Sequence, residues 1–228
     1  MLELNHSHLT RQLDLIPVET LNKKVTIIGC GAIGSFLGLS LAKMGMERLS
    51  VWDFDEVSIE NMSNQFYKIS QLGQNKALAL TTLVKEFTDV SIECNQRAFT
   101  PDDASGLSGI VVVAVDSMAV RRMVYEAIAA KGFNVEYIID PRMGAEMYTQ
   151  YTIKPFEERD TIMYAKVLHS DAEAVQERCT AKSTVYTATL GAGLIVKTIK
   201  NLLLKQPYPR NTQWSIVDST NPMIMYAG

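Results

Sequence analysis

A glycine-rich loop at residues 29–34, with the spacing G-x-G-x-x-G, constrains the fold of this 228-residue chain more than any other feature. It follows an apolar run and precedes a stretch with the spacing of an amphipathic helix. In this context Gly29 allows a tight turn, Gly31 lets a phosphate approach the backbone, and Gly34 lets the helix pack closely on the strand. The first turn of such a helix also attracts negative charge. The loop therefore predicts a strand, a turn and a helix that bind a phosphate-bearing ligand.

A carboxylate at the end of the second predicted strand supports a nucleotide ligand. Asp53 lies 19 residues after Gly34, which is the position from which an acid accepts hydrogen bonds from ribose hydroxyls. A structural turn without a ligand would not require this acid. The loop and the acid together predict an adenosine nucleotide, but they fit ATP and NAD equally well. Two of the three histidines lie in the N-terminal arm and the third, His169, has no evident carboxylate partner, which weakens the interpretation as a hydride-transferring enzyme.

Short β-branched runs alternate with longer amphipathic stretches along the first two-thirds of the chain. The most apolar runs lack a polar face, as expected of parallel strands that are covered by helices on both sides. The sequence therefore predicts an α/β fold with a doubly wound, Rossmann-like and mostly parallel sheet. The predicted strands are residues 24–28, 49–52, 90–93, 110–115 and 135–139, and the predicted helices are residues 35–44, 76–86 and 120–131.

The pattern changes in the last third of the chain. Residues 147–153 and 161–167 alternate between polar and apolar side chains, which predicts strands with one solvent-exposed face and hence a C-terminal antiparallel extension of the sheet. Residues 184–204 have apolar side chains at helical spacing. Gly191 and Gly193 within this predicted helix would allow a neighbouring element to approach closely.

The composition excludes several other classes of protein. With 22 Lys and Arg against 25 Asp and Glu, the net charge is −3, so nucleic acid is an unlikely partner. The longest apolar stretch, residues 110–115, is too short to cross a membrane, and the N-terminus lacks the apolar core of a signal peptide. We therefore expect a soluble, cytoplasmic protein without a membrane partner.

Polar side chains are concentrated in the loop after the second predicted strand. Its carboxylates and carboxamides would meet one end of a nucleotide, and Lys76 follows at the start of the next predicted helix. Attack on the α-phosphate of ATP requires positive charge at the phosphates, which Lys, Arg or Mg²⁺ can supply. The loop therefore favours phosphate chemistry over hydride transfer. Its polar residues are Asp53, Asp55, Asn61, Asn64 and Gln65.

Lys76 and Asp116 are the candidates for charge stabilisation. Lys76 can neutralise phosphate charge, although a lysine on a helix is by itself more typical of a solvated surface. Asp116 follows the apolar strand at residues 110–115, at the sheet edge where α/β proteins bind ligands, and can hold Mg²⁺. It can also act as the N-cap of a helix that begins near Met118, and the two roles are compatible.

Seven segments of the chain, in this order, resemble the ThiF/MoeB/HesA family, the bacterial relatives of ubiquitin-activating enzymes. The resemblance covers almost the whole chain. It implies ATP- and Mg²⁺-dependent adenylation of the C-terminal glycine carboxylate of a small ubiquitin-like or sulfur-carrier protein, usually by a homodimer. The segments are residues 9–12 (LTRQ), 25–35 (VTIIGCGAIGS), 53–57 (D-x-D-x-V), Asn61 with Gln65, 72–76 (LGQNK), 115–117 with Arg121, and Cys179 before the helix around Gly191.

The resemblance also implies how the chain is organised. Residues 1–228 are expected to form a single ThiF-like adenylation domain. Within it we expect an N-terminal arm at 1–22, a nucleotide-binding half at 23–142, and a half at 143–228 that faces the carrier and the dimer partner.

Roles for individual residues follow from the same resemblance. It implies that Asp53 binds the ribose, that Asn61 and Lys76 contact the phosphates, and that Asp116 coordinates Mg²⁺. Arg11 resembles an arginine of the family's N-terminal arm that reaches into the site of the partner subunit. The expected nucleotide-binding set is completed by Gly29, Gly31, Gly34, Asp55 and Gln65.

The chain departs from the family pattern at one charged position. Family members commonly carry Arg one residue before the loop glutamine, where this chain has Asn64. Loss of one stabilising group of this kind can lower the rate by about 10²–10³-fold, so we expect weaker activity unless another cation substitutes. Arg142, at the same sheet edge, is a candidate replacement. The alternative is an arginine that pairs with Asp140 or Glu146.

The second departure concerns cysteine. The C-x-x-C pairs that hold zinc in many relatives are absent, and the three cysteines are widely separated, so we expect no zinc and no disulfide. Cys179 matches a family cysteine that in some relatives forms a covalent link to the activated carrier, and nearby Arg178 and Lys182 favour the thiolate. Cys179 is either a nucleophile for thioester or persulfide-linked transfer or a loop cysteine without chemistry.

Two other functions stay open on the sequence alone. Asn64 in place of Arg suggests a non-catalytic nucleotide-binding or partner-binding module of the same fold. The glycine loop by itself is also compatible with an NAD(P)-dependent oxidoreductase. The carrier and its pathway are not identified by the fold resemblance.

Overall fold

A computed structural model describes residues 7–168, 183–215 and 224–226. Its central element is an eight-stranded sheet with the strand order β3-β2-β1-β4-β5-β6-β7-β8. The first five strands in this order run parallel, and β6, β7 and β8 add an antiparallel extension. The predicted fold class is confirmed. The strands are β1 (Val25–Ile28), β2 (Leu49–Trp52), β3 (Glu93–Asn95), β4 (Gly109–Val113), β5 (Val135–Gly144), β6 (Met147–Ile153), β7 (Asn211–Ser215) and β8 (Ile224–Tyr226).

Helices cover both faces of the sheet because the central strands bury side chains on both sides. Successive residues of β1 alternate between two hydrophobic clusters, with Ile27 in one and Ile28 in the other. Helices α1, α2 and α5 pack in the first cluster, and α3 and α4 pack in the second. Within the described parts of the chain, no helix has the length and apolar character needed to cross a membrane. The helices are α1 (Ala32–Lys43), α2 (Lys76–Thr88), α3 (Met118–Lys131), α4 (Glu158–Val167) and α5 (Val185–Leu203).

The strand order creates a switch point between β1 and β4. The chain runs outward from β1 to β2 and β3, and then returns to place β4 on the other side of β1. At such a point the loops that follow the two neighbouring strands diverge and leave a crevice at the carboxyl edge of the sheet. The glycine loop follows β1, and Asp116 follows β4, so the topology brings both to this crevice.

One predicted strand is a helix. The prediction of a strand at residues 161–167 is wrong, because these residues belong to α4. Burial recurs every four residues, at Asp160, Tyr164 and Leu168, which is helical spacing rather than strand alternation. The backbone N–H of Lys154 donates to the Asp160 carboxylate (2.8 Å), and acidic residues in the first turn favour a helix at this place.

The third strand also differs from its prediction. Helix α2 continues to Thr88, beyond the predicted end at residue 86, and Asp89 then adopts a left-handed conformation with φ 62°. This turn delays the strand, so that β3 begins at Glu93 instead of occupying residues 90–93. Strand β5 extends to Gly144, where a turn through Ala145 (φ 51°) starts the antiparallel extension.

The two glycines of α5 have different surroundings. A Cβ atom on Gly191 would lie 2.5 Å from a ring carbon of the buried Tyr148, so α5 can pack on β6 only because this position has no side chain. Nothing lies within 4 Å of the corresponding point on Gly193. The predicted close approach is thus found at Gly191 and not at Gly193.

This difference gives a matched pair of variants. We expect Gly191→Ala to lower the free energy of unfolding by about 1–3 kcal/mol, because the new methyl group overpacks against Tyr148. Gly193→Ala should leave stability unchanged or raise it by up to about 1 kcal/mol, since alanine is the better helix former. Urea denaturation of both variants measures the difference. Equal stability of the two would contradict the assigned packing.

Candidate functional site

The glycine loop packs between the ends of β1 and β4. Gly29 has φ +98°, and a Cβ atom there would lie 2.5 Å from the carbonyl oxygen of Ala114. A Cβ on Gly34 would lie 2.0 Å from the carbonyl oxygen of Gly29, whereas the nearest atom to a Cβ on Gly31 is the side-chain nitrogen of Gln65, at 4.0 Å. Gly29 and Gly34 are therefore required by the turn and by close packing, while Gly31 leaves open space beside the loop.

Asp53 joins the glycine loop to the end of β2. One carboxylate oxygen accepts the backbone N–H of Cys30 (2.6 Å), and the other accepts the backbone N–H of Asp55 (2.8 Å). The side chain is buried, and this burial raises the pKa of the carboxyl group, while the two N–H donors partly offset the shift. Each oxygen keeps a second acceptor position, so the predicted contact with ribose hydroxyls is compatible with this geometry.

Lys76 is buried at the start of α2, with only 8% of the residue exposed. Its ammonium group lies 3.1 Å from the carboxylate of Asp55, which is itself half-exposed, and its backbone N–H donates to the Asp55 carbonyl (2.8 Å). The interpretation of Lys76 as a solvated helix residue is wrong. Instead, a buried cation is held beside the glycine loop by a partner that solvent can reach.

Two residues that are not among the predicted site residues hold this arrangement together. Asn75 caps α2 through its side-chain oxygen, and its side-chain nitrogen donates to the carbonyls of Asp53 (3.0 Å) and Asp55 (3.2 Å). The hydroxyl of Tyr67 donates to the carbonyl of Cys30 (2.6 Å) and lies 3.3 Å from that of Lys76. An asparagine directly before a predicted helix is a recognisable N-cap signal. Tyr67 carries no comparable signal.

The carboxamide side chains of the loop after β2 differ in how far their polar atoms are hydrogen-bonded. Asn61 accepts the backbone N–H of Ser58 (3.1 Å) and so caps a short 3₁₀ helix. Asn64, the residue in place of the family arginine, donates to the carbonyl of Ser183 (3.3 Å). Among the described residues, the side-chain oxygens of Asn64, Gln65 and Ser183 are buried without a hydrogen-bond partner. Position 64 thus connects the loop to the residue before the N-cap of α5.

Asp116 is exposed at the carboxyl edge of the sheet, just beyond β4. The N-cap of α3 is Ser117, whose hydroxyl accepts the backbone N–H of Val120 (3.3 Å). The predicted capping role of Asp116 is therefore wrong. No three acidic, histidine or cysteine side chains cluster as a metal site in the described residues. One carboxylate nevertheless suits Mg²⁺ that arrives with a nucleotide, because the phosphates and water supply the other ligands.

Arg142 is engaged by a buried acid. Its guanidinium makes two hydrogen bonds to one oxygen of Asp140 (2.9 and 2.7 Å) and donates to the carbonyl of Val167 (2.9 Å). It also stacks on the ring of Tyr151, with 4.7 Å from Cζ to the ring centroid. This geometry favours the pairing alternative, with Asp140 rather than Glu146 as the partner.

The N-terminal arm is anchored on either side of Arg11. Leu9 is buried against Gly45, and the side chain of Gln12 donates to the carbonyl of Met44 (2.5 Å). Arg11 between them is exposed.

The candidate nucleophile and its neighbours lie outside the described residues, as do two of the three histidines. These residues are Cys179, Arg178, Lys182, His6 and His169.

Comparison with known sequences gives a consistent result. The profile of the ThiF family matches residues 10–224. The chain is 35% identical to ubiquitin-like modifier-activating enzyme 5 of Caenorhabditis briggsae over 83 residues, which are 36% of this chain and 19% of that protein. It is 31% identical to the adenylyltransferase and sulfurtransferase MOCS3 of Dictyostelium discoideum over 116 residues, which are 49% of this chain and 27% of that protein. The match therefore spans less than a third of either relative.

Solved structures share the fold at low sequence identity. The crystal structure of E. coli MccB with ATP superposes with a TM-score of 0.74 at 15% identity and covers 98% of this chain and 71% of that chain. The crystal structure of PaaA superposes with a TM-score of 0.72 at 18% identity and covers 96% of this chain and 68% of that chain. These similarities support the arrangement of strands and helices described above.

Proposed function

The chain belongs to the ThiF family, and from this premise we propose that it is an ATP-dependent adenylyltransferase. Its substrate would be the C-terminal carboxylate of a small ubiquitin-like or sulfur-carrier protein. The proposal treats residues 1–228 as one adenylation domain, with the arm at 1–22 and the two halves at 23–142 and 143–228. Support comes from relatives named as a ubiquitin-like modifier-activating enzyme and as an adenylyltransferase.

The observation that carries the proposal is the buried Lys76 beside the glycine loop. A nucleotide site that only binds a dinucleotide does not require a buried ammonium group, whereas attack on the α-phosphate of ATP builds up negative charge that must be neutralised. Lys76 is 8% exposed, and its partner Asp55 is reachable by solvent. Incoming phosphates can therefore displace Asp55 as the partner of the Lys76 ammonium, because they carry more negative charge than one carboxylate.

The proposed reaction has one bond-forming and one bond-breaking event. A carboxylate oxygen of the carrier attacks the α-phosphorus of ATP, the bond from this phosphorus to the bridging oxygen of pyrophosphate breaks, and pyrophosphate leaves. The product is an acyl-adenylate. Asp53 would hold the ribose, the backbone around Gly31 would contact the phosphates, and Lys76 with Asn61 would stabilise the leaving pyrophosphate. Asp55 and Gln65 would border the same nucleotide.

Asp116 would hold Mg²⁺ together with phosphate oxygens, and the metal would neutralise charge on the transferred and leaving groups.

We propose a structural role for Arg142, because Asp140 and Val167 engage its guanidinium. With Asn64 in place of an arginine, the rate is then expected to be about 10²–10³-fold below that of a relative with this charge. Transfer to the Cys179 thiol stays a prediction from the sequence.

We also propose that the active form is a homodimer to which Arg11 contributes. Leu9 and Gln12 fix the arm to the body of the subunit, while the side chain of Arg11 between them is exposed. An exposed arginine on an anchored segment suits a contact with phosphates in the site of a partner subunit.

Exchange of labelled pyrophosphate into ATP tests the proposed function. The purified protein is incubated with ATP, Mg²⁺ and a small sulfur-carrier protein that ends in glycine, and the same carrier with an amidated C-terminus is the control. Exchange with the free carboxylate alone supports adenylation. Binding of ATP without exchange would instead support the non-catalytic module that Asn64 suggests. Thermal stabilisation by NAD and not by ATP–Mg²⁺ would support an oxidoreductase.

A variant of Lys76 gives a sharper test. We expect Lys76→Met to lower the exchange rate by about 10²–10³-fold, because the side chain keeps its length but loses the charge that stabilises pyrophosphate. The matched control is Lys85→Met on the same helix, where the lysine is half-exposed and pairs with Asp89 at 2.6 Å. This control should keep the rate of the wild-type protein. Similar rates for both variants would remove Lys76 from the mechanism.

A further inference from the structure

Arg121 belongs to a family segment, yet the proposed mechanism assigns it no role. The residue is 5% exposed, and its guanidinium lies between the ends of β4 and β5. On the β4 side it donates to the carbonyls of Val113 (3.0 Å) and Val115, and on the β5 side to the carbonyl of Pro141 (3.0 Å) and the carboxylate of Asp140. One side chain therefore satisfies acceptors from two strands.

The sequence explains why the two strands need this side chain. The paired register of β4 and β5 ends at Val112 and Ile139, and β5 continues through Pro141. Proline has no backbone N–H, so it cannot donate to a carbonyl of β4 and the ladder cannot continue. Buried carbonyls beyond this point still require donors. Arg121 supplies them from α3.

Asp140, the acid that pairs with Arg121, is completely buried, and both of its carboxylate oxygens accept hydrogen bonds. Asp140 has 0% exposure and accepts hydrogen bonds from Arg121, from Arg142 and from the hydroxyl of Tyr164 (2.9 Å). We call these four residues the Asp140 cluster. Burial raises the pKa of Tyr164 to about 12 and lowers that of Arg121 to about 10, so at neutral pH the phenol is neutral and the guanidinium is charged. Two cations therefore face one anion, and the cluster has a net charge of +1.

The hydrogen bonds of Arg121 also fix the backbone next to Asp116. Arg121 holds the carbonyl of Val115, which belongs to the peptide unit directly before Asp116, and helix α3 begins two residues later at Met118. The position of the exposed carboxylate is thereby tied to a buried network rather than to a free loop. Arg121 also interacts electrostatically with the Asp116 carboxylate.

We propose that Arg121 is a positioning residue for Asp116: it fixes the end of β4 so that the carboxylate is held in place before nucleotide and Mg²⁺ arrive. The part that concerns Mg²⁺ rests on the proposed function. The part that concerns the backbone does not, because it depends only on contacts within the chain.

Hydrogen exchange of the protein without nucleotide or metal tests the backbone part. In Arg121→Lys, one ammonium group cannot serve acceptors on both strands, so amides of residues 113–118 should exchange about tenfold faster than in the wild-type protein. The matched control is Arg122→Lys, whose arginine is next on α3 and donates to the carbonyl of Leu168 instead. Exchange at residues 113–118 should be unchanged in the control. Wild-type exchange there in Arg121→Lys would overturn the proposal.

A second variant covers the case in which Arg121→Lys fails to fold. Tyr164→Phe removes the hydrogen bond of the phenol to Asp140 and its hydrogen bond with Arg142 but keeps the ring, so the protein should fold. Exchange at residues 113–118 should then rise by about threefold, because Asp140 holds Arg121 less firmly. If the exchange is the same as in the wild-type protein, the cluster does not control this segment and the proposal is rejected.

The concentration of Mg²⁺ that gives half-maximal pyrophosphate exchange tests the functional part. It should rise by about tenfold or more in Arg121→Lys, as expected when a residue behind a metal ligand is altered, and stay constant in Arg122→Lys. An unchanged Mg²⁺ requirement would show that Arg121 does not position Asp116 for the metal. A wild-type protein without any exchange would reject the proposed function, while the hydrogen-exchange result would still decide the backbone role.

Discussion

Replacing Gly34 with alanine should destabilise the protein by about 3 kcal/mol or more and lower its melting temperature by about 6–12 °C. The reason is geometric, because a Cβ atom at this position would lie 2.0 Å from the carbonyl oxygen of Gly29. That oxygen belongs to the turn itself, so relief requires α1 to move away from β1. Since total stabilities are commonly about 5–15 kcal/mol, the loss is a large fraction. Thermal denaturation without ligands measures it.

Gly31→Ala is the informative comparison. The nearest atom to the new methyl group would be 4.0 Å away, so we expect a much smaller loss of stability than in Gly34→Ala. The same methyl group would occupy the space through which a phosphate approaches the backbone, and ATP affinity should fall by about tenfold or more. The stabilisation of the protein by saturating ATP would then drop by about 1.4 kcal/mol. A Gly31→Ala protein with normal ATP binding would contradict the placement of the phosphates.

Replacing Asp116 with alanine should lower carrier-dependent pyrophosphate exchange by about 10²–10³-fold. The loss follows from removal of the carboxylate proposed to hold Mg²⁺ against the phosphates. Stability should change little, because Ser117 and not Asp116 caps α3 and because the side chain of Asp116 is exposed. Exchange rates over a range of Mg²⁺ concentrations and melting temperatures of the same samples separate the two effects.

Two further variants test this interpretation of Asp116. Asp116→Asn keeps the shape of the side chain but loses its charge, so it should resemble the alanine variant if the charge binds the metal. Asp102→Ala removes another exposed acid, which pairs with Lys131 at 2.6 Å on a different part of the surface, and should leave the exchange rate unchanged. If Asp116→Ala exchanges pyrophosphate at the wild-type rate, its metal role is excluded.

The fold was predictable where burial and local pattern agree. Strand β2 and strand β6 have the predicted bounds, and β1 differs by one residue, because runs rich in β-branched and aromatic residues favour strands. The pattern of residues 161–167 fits both elements, because a short amphipathic helix and a strand can share the same few apolar residues. The deciding contacts, from Asp160 to Lys154 and from Tyr164 to Asp140, are tertiary and leave no local pattern.

The sequence predicts which residues form the site but not how they contact one another. Spacing and family order predict that the glycine loop, Asp53 and Lys76 belong to one site, and in the structure they lie together. Their mutual contacts were not predictable. The burial of Lys76 depends on how α2 packs after a loop of more than twenty residues, and the role of Tyr67 depends on the path of that loop. Arg142 was ambiguous for the same reason, since either acid beside it fits the spacing.

The Asp140 cluster has a consequence for how this chain can change during evolution. Loss of Asp140 alone would leave the buried guanidinium of Arg121 and the partly buried one of Arg142 without a counter-ion, and breaking a buried ion pair in this way typically costs about 3–5 kcal/mol. Loss of Arg121 alone would leave carbonyls of two strands without donors. The cluster should therefore be inherited as a unit. A homologue with an uncharged residue at position 140 is expected to have replaced at least one of the two arginines as well.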